Sequence, residues 1–287
     1  MSDPTTLARP SGGFAMLAVD QREALRDMMS RARSTDISDA DMTEFKVAAA
    51  RALTPYASAV LVDTEFGWDA VIEQNAVDSS SSLIAAADHF TAGAGEFVRE
   101  ATFDTSLDYE RLKQQGARAL KLLVLWREDQ DAQQRIAEVR SFVATCRSLD
   151  LVSIIEPVSR GRWDGKPSDI EAGVLAAAKE LGDLGADIYK AEVPFKGAES
   201  DERVYGACRE LTESINGPWV VLSSGVDADR FPDAVGIACR AGASGFLAGR
   251  AVWASVLGAD NVDDELRATS IPRLERLGTI VDDNIRN

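Results

Sequence analysis

Histidine and cysteine, which supply many of the metal ligands in enzymes, are scarce in this chain of 287 residues. The only histidine is His89, which excludes mechanisms that require two histidines, including most zinc hydrolase sites. The three cysteines, Cys146, Cys208 and Cys239, stand far apart and show no spacing typical of metal ligands. Isolated cysteines of this kind indicate reduced thiols, so we expect a cytoplasmic protein.

Basic residues and long apolar runs are also in short supply. The chain has 31 Lys and Arg against 47 Asp and Glu, a formal net charge of −16. Such a surface argues against nucleic acids and anionic membranes as partners. A local basic pocket can still bind a small anion, because surface charge is screened over roughly 8 Å. No apolar run is long enough to span a bilayer, and residues 1–6 lack the pattern of a signal peptide.

Short apolar runs alternate with amphipathic stretches along nearly the whole chain. This alternation predicts a parallel sheet with right-handed crossovers. Eight such units in this length fit a (β/α)8 TIM barrel better than an open α/β sheet. The predicted strands are residues 13–20, 58–63, 82–88, 117–126, 151–158, 186–194, 219–226 and 245–251.

Two stretches depart from the simple alternation. An additional helix is predicted at residues 38–53, and the polar residues 89–116 fit a small hairpin before a helix at 108–115. No segment rich in proline, glycine or serine divides the chain. We therefore predict one barrel domain at residues 11–287, preceded by a flexible segment at 1–10.

Lys190 is a lone cation within the otherwise apolar predicted strand 186–194. A lysine buried in mid-strand must be paired or neutral, because an isolated ammonium in apolar surroundings is too costly. A neutral lysine amine is a nucleophile that can form a Schiff base with a carbonyl substrate. The alternative is a lysine with a buried stem whose charged head reaches water.

Other ionisable residues also lie near the ends of predicted strands, where TIM barrels place their active sites. Because strand side chains alternate, Lys121, Glu156 and Lys190 can all point into the barrel. Lys121 would then lower the pKa of Lys190, and Glu156 would act as a general acid. The alternative is a buried salt-bridge network that only fills the barrel. The strand-end residues are Asp20, Asp63, Asp88, Lys121, Glu156, Lys190 and Arg250.

Small residues lie near the ends of the last two predicted strands. Ser223 and Gly225 are in one, and Gly249 and Arg250 are in the other. Backbone N–H groups and a guanidinium at this position of a barrel can bind a phosphate. The alternative is that the glycines only permit tight turns.

Five segments resemble the class I aldolases related to tagatose-1,6-bisphosphate aldolase, and within that group most of all the sulfofructosephosphate aldolases. They are residues 12–23, 119–126, 151–157, 222–226 and 243–253. The resemblance spans nearly the whole chain and is weakest at residues 1–10, 89–116 and 160–166.

The resemblance implies that Lys190 is the Schiff-base lysine and Glu156 the acid/base residue. It implies a sugar-phosphate substrate, 6-deoxy-6-sulfofructose 1-phosphate, cleaved to dihydroxyacetone phosphate and 3-sulfolactaldehyde. No metal or other cofactor is implied, because the imine acts as the electron sink. Residues implied around the imine and at the anion site are Asp20, Gln21, Asp63, Lys121, Ser223, Gly225, Gly249 and Arg250.

Other functions stay open at this point. The same chemistry could act on tagatose or fructose 1,6-bisphosphate, and a catalytically silent barrel could bind a sugar phosphate.

The resemblance also implies a homo-oligomer, with weak support from Leu274, Leu277 and Ile280 if these side chains are exposed on the last helix. Candidates for the cation at the far end of the sugar are Arg22, Lys196 and Arg250.

Overall fold

A computed structural model describes residues 3–93 and 95–285 of the chain. Eight of the strands in these residues lie parallel in one closed barrel: β1 (Phe14–Val19), β2 (Ala59–Val62), β3 (Ser82–Ala86), β6 (Ala117–Trp126), β7 (Val152–Ser159), β8 (Ile188–Glu192), β9 (Trp219–Leu222) and β10 (Gly245–Ala248). The other two, β4 (Asp88–Gly93) and β5 (Glu96–Phe103), form an antiparallel hairpin. Around the barrel the order is β1, β10, β9, β8, β7, β6, β3, β2. Each barrel strand overlaps one predicted strand, so the single-domain (β/α)8 barrel is confirmed.

Helices cover the barrel, as parallel strands buried on both faces require. They are α1 (Glu23–Arg33), α2 (Asp39–Leu53), α3 (Trp68–Glu73), α4 (Tyr109–Gln114), α5 (Ala132–Ser148), α6 (Ile170–Leu181), α7 (Asp201–Ser214), α8 (Phe231–Ala241), α9 (Arg250–Trp253), α10 (Val262–Glu265) and α11 (Ile271–Ile285). The additional helix predicted at 38–53 is α2, which begins with a capping box between Ser38 and Asp41. In the described part of the chain, no helix is both long and apolar enough to cross a membrane.

The inside of the barrel is apolar at one end and charged at the other. Strand side chains alternate, and the inward positions nearest the N-terminal ends are buried aliphatic and aromatic residues such as Met16, Ile154 and Ile188. Two residues further along the strands, the same inward faces carry Glu156 and Lys190. The apolar layer is therefore a closed floor beneath the charged groups.

The hairpin of β4 and β5 lies against the charged end of the barrel. Phe90 and Val98 of the hairpin pack on a small apolar cluster that includes Leu123 and Val158, at the ends of β6 and β7. This hairpin, followed by α4, confirms the structure predicted for residues 89–116. The hairpin therefore forms a wall at the mouth of the barrel.

The first and last described segments of the chain meet at the floor of the barrel. Leu7, in a 3-10 helix at Pro4–Leu7, is buried in the floor, and Arg9 forms an ion pair with Asp282 of α11 at 2.8 Å. The predicted boundary at residue 10 and the flexibility of residues 1–10 stay predictions. Residues 1, 2, 94, 286 and 287 of the predicted ranges lie outside the described residues.

The expectation that α11 exposes an apolar surface is wrong. Leu274 and Leu277 are 0% and 2% exposed and belong to the core between the barrel and its helices. Ile280 is partly buried and packs against the same core. The apolar stripe of α11 faces its own barrel, so it gives no support for an oligomer.

Candidate active site

Two lysines and three carboxylates converge at the C-terminal end of the barrel. Lys121 Nζ lies 2.7 Å from Asp20 Oδ2, 2.9 Å from Asp88 Oδ2 and 3.2 Å from Glu156 Oε2. Lys190 Nζ lies 2.9 Å from Glu156 Oε1. Glu156 therefore contacts the Nζ atoms of both lysines, one through each oxygen.

The barrel order explains why these residues meet. Lys121, Glu156 and Lys190 lie on β6, β7 and β8, which are consecutive neighbours in the barrel. Lys121 pairs in register with Ile154, whose next inward neighbour on β7 is Glu156. The three side chains thus point inward at successive positions around the barrel, as the alternation of the strands predicted.

Lys121 is a fixed cation at the centre of this cluster. Its side chain is 1% exposed, and burial alone would lower its pKa, but Asp20, Asp88 and Glu156 outweigh burial and raise the pKa well above its ordinary value. Burial would raise the pKa of Asp20, but Lys121 and Lys190 hold it well below its usual range. Lys121 therefore stays protonated, and its charge is balanced by the carboxylates around it.

Asp88 connects the cluster to the hairpin. Its carboxylate accepts hydrogen bonds from Leu123 N at 3.0 Å and from Arg22 Nη2 at 2.9 Å. The guanidinium of Arg22 also stacks 4.1 Å above the ring of Phe90 and lies 3.7 Å from Glu65. Arg22 is therefore held in place by two carboxylates and an aromatic ring.

A cavity of about 430 Å³ opens above the charged cluster. The hairpin forms one of its walls, and Lys190 lies beneath Glu156, outside the lining. The lining residues are Asp20, Gln21, Arg22, Glu23, Ala24, Glu65, Phe90, Ala92, Gly95, Glu96, Phe97, Val98, Lys121, Leu123, Glu156, Val158, Arg160, Ser224 and Arg250.

Five predicted site residues line the cavity, and five do not. Gln21 borders it, and its Oε1 atom is buried without a hydrogen-bond partner. On the connection after β9, Ser224 lines the cavity in place of the predicted Ser223 and Gly225. The predicted residues on the lining are Asp20, Gln21, Lys121, Glu156 and Arg250.

Asp63 points away from the cavity to a lysine that the sequence did not reveal. Lys46 and Asp63 are fully buried and form an ion pair at 2.5 Å. Lys46 Nζ also donates to the carbonyls of Val19 and Gln21 at 2.7 and 2.6 Å. The pair therefore fixes the connection from β1 to α1. In the sequence, the only sign of this ion pair was a lone lysine on the apolar face of a predicted helix.

Of the four residues predicted for the anion site, only Arg250 lines the cavity. Gly249 must be glycine because a Cβ atom there would lie 2.2 Å from the carbonyl oxygen of Ala18, so its role is a close backbone approach and not the tight turn weighed above. Gly225 has a φ of +76°, a left-handed turn conformation. Arg250 is half-buried, and burial lowers its pKa. No carboxylate within the described residues forms an ion pair with it.

Arg160 was not predicted as a site residue, and Glu192 also lies at this end of the barrel. Arg160 follows β7 and lines the cavity, in a segment where the family resemblance is weak. Glu192 ends β8 two residues after Lys190, and its Oε2 accepts from Ser159 N at 2.7 Å. Burial raises the pKa of Glu192 to about 7. No group of three His, Cys, Asp or Glu side chains in the described residues is arranged to hold a metal ion.

Glu192 gives a prediction for stability against pH. Its pKa in the folded protein is about 7, above its ordinary value of 4.5. Between these values Glu192 keeps its proton in the folded protein and loses it in the unfolded chain. The contribution of Glu192 to stability is therefore full below pH 4.5 and is lost as pH rises through 7. We expect the free energy of unfolding to fall across this range by up to about 1.4 kcal/mol per pH unit relative to Glu192→Gln. Urea titrations of both proteins measure this, and parallel curves would contradict it.

Comparisons with known proteins find similarity to aldolases. The pattern described as DeoC/LacD family aldolase matches residues 14–255. Tagatose 1,6-diphosphate aldolase 2 of Streptococcus mutans is 31% identical over 270 residues, covering 85% of this chain and 80% of the relative. Fructose-bisphosphate aldolase of Plasmodium falciparum has the same fold, with a TM-score of 0.71 at 15% identity over 98% of this chain and 93% of that one.

An archaeal fructose-1,6-bisphosphate aldolase also shares the fold. It aligns with a TM-score of 0.64 and 15% identity, covering 97% of this chain and 98% of the other. That structure was solved with the catalytic lysine covalently bound to the carbinolamine intermediate of the substrate.

Proposed function

The chain belongs to the DeoC/LacD family of aldolases, and from this we propose that it is a class I aldolase whose Lys190 forms a Schiff base with a ketose phosphate. The observation that carries the proposal is the contact at 2.9 Å between Lys190 Nζ and Glu156 Oε1 beneath the cavity. A buried amine beside a carboxyl group is the pair that imine formation requires. The solved archaeal aldolase with a carbinolamine on its lysine supports the assignment by analogy of fold.

The proposed reaction begins at the ketose carbonyl. The neutral amine of Lys190 attacks carbon 2, and a proton passes from nitrogen to oxygen to give a carbinolamine. Glu156 then donates a proton to the departing hydroxyl, so that water leaves and an iminium forms. Glu156, now a carboxylate, accepts the proton of the hydroxyl on carbon 4 as the bond between carbons 3 and 4 breaks. The aldehyde departs, and the electron pair moves into the iminium to give an enamine.

Completion of the cycle needs no further group. Glu156 returns its proton to carbon 3 of the enamine, which restores the iminium. Water then attacks carbon 2 and gives a proton back to Glu156, and the carbinolamine collapses to dihydroxyacetone phosphate and the free amine of Lys190. Lys121 stays charged throughout and holds Asp20 and Glu156 at the imine. We propose that Asp20 and Gln21 accept hydrogen bonds from the sugar hydroxyls. The orphaned Oε1 of Gln21 supports this role, because a buried acceptor without a partner is costly.

We propose that Arg250 binds the phosphate on carbon 1, next to the imine. It lines the cavity at the end of β10 and has no carboxylate partner in the described residues. Its position beyond the last two barrel strands matches the place where such barrels often bind phosphate. A charged hydrogen bond there would position the carbonyl against Lys190.

The group on carbon 6 separates two candidate substrates. The named relatives favour a ketose 1,6-bisphosphate such as tagatose 1,6-bisphosphate. The charge of the cavity favours 6-deoxy-6-sulfofructose 1-phosphate, because a sulfonate carries one charge and a phosphate ester nearly two. The cavity lining holds five carboxylates against four cations, which suits the less charged ligand.

Cleavage rates on the candidate substrates decide between them. From the charge of the cavity we expect kcat/KM for sulfofructose 1-phosphate to exceed that for tagatose and fructose 1,6-bisphosphate by about tenfold, or 1.4 kcal/mol. A coupled assay for dihydroxyacetone phosphate measures all three substrates on one scale. The reverse order would assign the bisphosphate, as the names of the relatives do. No cleavage of any of them would contradict the proposed function.

We also propose that the enzyme is a cytoplasmic homo-oligomer. The three cysteines are free and buried, which supports a reducing compartment. Ile170 of α6 and Tyr205 of α7 are exposed on outer helices, and they offer an apolar surface for contact between subunits.

A further inference from the structure

Arg160 brings to the cavity a guanidinium that the protein itself leaves largely unused. Of the three arginines in the lining, Arg22 is engaged by Asp88 and Glu65. Arg160 Nη1 donates one hydrogen bond, at 2.9 Å, to the carbonyl oxygen of the adjacent Ser159. Within residues 3–93 and 95–285, Arg160 forms no ion pair. Its remaining N–H donors are therefore available to a ligand.

The carboxyl groups around Arg160 do not cancel its charge. The charge of Arg160 acts on Glu192, which is the nearest carboxyl on the neighbouring strand β8. Glu192 is already hydrogen-bonded to Ser159 N, and burial raises its pKa to about 7, so it keeps a proton for much of the neutral range. Glu171 of α6 accepts from Phe195 N. A bound anion would therefore face the guanidinium of Arg160, whose positive charge Glu192 does not fully offset.

The backbone after Arg160 is held in place by hydrogen bonds, so the side chain of Arg160 extends from a fixed point. The carbonyl oxygen of Gly161 accepts a hydrogen bond from the buried Arg127. The backbone N–H groups of Trp163 and Asp164 donate to the carboxylate of Asp129 at 2.8 and 2.9 Å. A guanidinium that starts from a fixed backbone loses less conformational freedom when it binds a ligand.

Arg160 and Arg250 reach the cavity from different strands. Arg160 follows β7 and Arg250 follows β10, and β8 with Lys190 and β9 lie between them in the barrel. Two unpaired guanidiniums that reach one cavity from separate strands fit a ligand with two anionic groups. We propose that Arg160 is the specificity-determining residue that binds the anion on carbon 6 of the ketose, an inference that rests on the proposed function.

The test compares substrates that differ only at carbon 6. In the unmodified enzyme, kcat/KM is measured for fructose 1-phosphate, which lacks the second anion, and for sulfofructose 1-phosphate and fructose 1,6-bisphosphate. Arg160→Gln is expected to lower kcat/KM about tenfold or more on the substrates with two anions, the scale of one charged hydrogen bond, and to leave fructose 1-phosphate unchanged. Arg160→Lys is expected to recover part of the loss, because the charge returns.

Two further variants separate Arg160 from its surroundings. Arg162→Gln, two residues along, removes surface ion pairs with Asp164 and Glu128 and is expected to change none of the rates. Arg250→Gln is expected to lower the rates on all three substrates, because every one carries the phosphate on carbon 1.

Three results would overturn the assignment of Arg160. They are an equal loss on all substrates, no loss on any, and the same pattern in Arg162→Gln. Failure of the unmodified enzyme to cleave any of these three or tagatose 1,6-bisphosphate would instead overturn the proposed function, and it is visible before any variant is made.

Discussion

Replacing Lys190 with alanine is expected to abolish ketose cleavage while the barrel stays folded. The lysine supplies the nucleophile of the proposed mechanism, whereas Ile188 and Ala191 of the same strand keep their buried packing. Arginine at this position is expected to be equally inactive, because a guanidinium stays protonated and does not attack a carbonyl. The release of dihydroxyacetone phosphate at saturating substrate measures both variants.

A lysine outside the barrel provides the matched control. Lys179 lies exposed on α6, and Lys179→Ala is expected to keep the activity of the unmodified enzyme. Circular dichroism and thermal unfolding of the Lys190 variants show whether the fold survives. Activity of more than about 1% of the unmodified rate in either Lys190 variant would contradict the Schiff-base assignment.

Replacing Glu156 with glutamine is expected to slow imine formation by roughly a hundredfold or more, the usual effect of losing a general acid. The amide has the shape of the carboxyl group and stays within reach of Lys190 and Lys121, but it has no acidic proton for the departing hydroxyl. Binding of the ketose is expected to change much less. Single-turnover experiments with rapid quenching separate the binding step from imine formation.

Glu65 is the matched control for Glu156. It also lines the cavity, but it lies near Arg22 and forms no ion pair with either lysine. Glu65 is the exposed partner in a pair at 3.7 Å with the buried Arg22, and a pair open to water is worth about 1 kcal/mol at most, so its replacement by glutamine is expected to change the rates by less than about fivefold. Weak binding with normal turnover at saturation in Glu156→Gln would instead make Glu156 a ligand-positioning residue.

The fold was predictable from the sequence because its physical origin is local. Parallel strands covered by helices must be apolar on both faces, so each appears as a short apolar run between amphipathic stretches. The barrel order then brings strands that are close in sequence together in space, as with β6, β7 and β8. The contacts of Lys121, Glu156 and Lys190 follow from that order and from the alternation of side chains.

The remaining features depend on contacts between distant parts of the chain. Lys46 reaches Asp63 from a helix, and helical periodicity does not show what lies beneath a buried lysine. Ser224 lines the cavity in place of Ser223 because alternation no longer applies after β9 ends, in the turn that Gly225 makes. The apolar stripe of α11 was readable, but its pattern does not tell a subunit contact from packing on its own barrel.

Borohydride reduction in the presence of substrate tests the central claim most directly. Reduction converts an imine into a stable secondary amine, so an imine-forming lysine gains the mass of the bound ketose fragment irreversibly. We predict that peptide mass spectrometry finds this gain at Lys190 alone, and that it disappears in Lys190→Ala. Labelling of a different lysine, or no labelling while the enzyme still turns over, would contradict the Schiff-base mechanism proposed for this barrel.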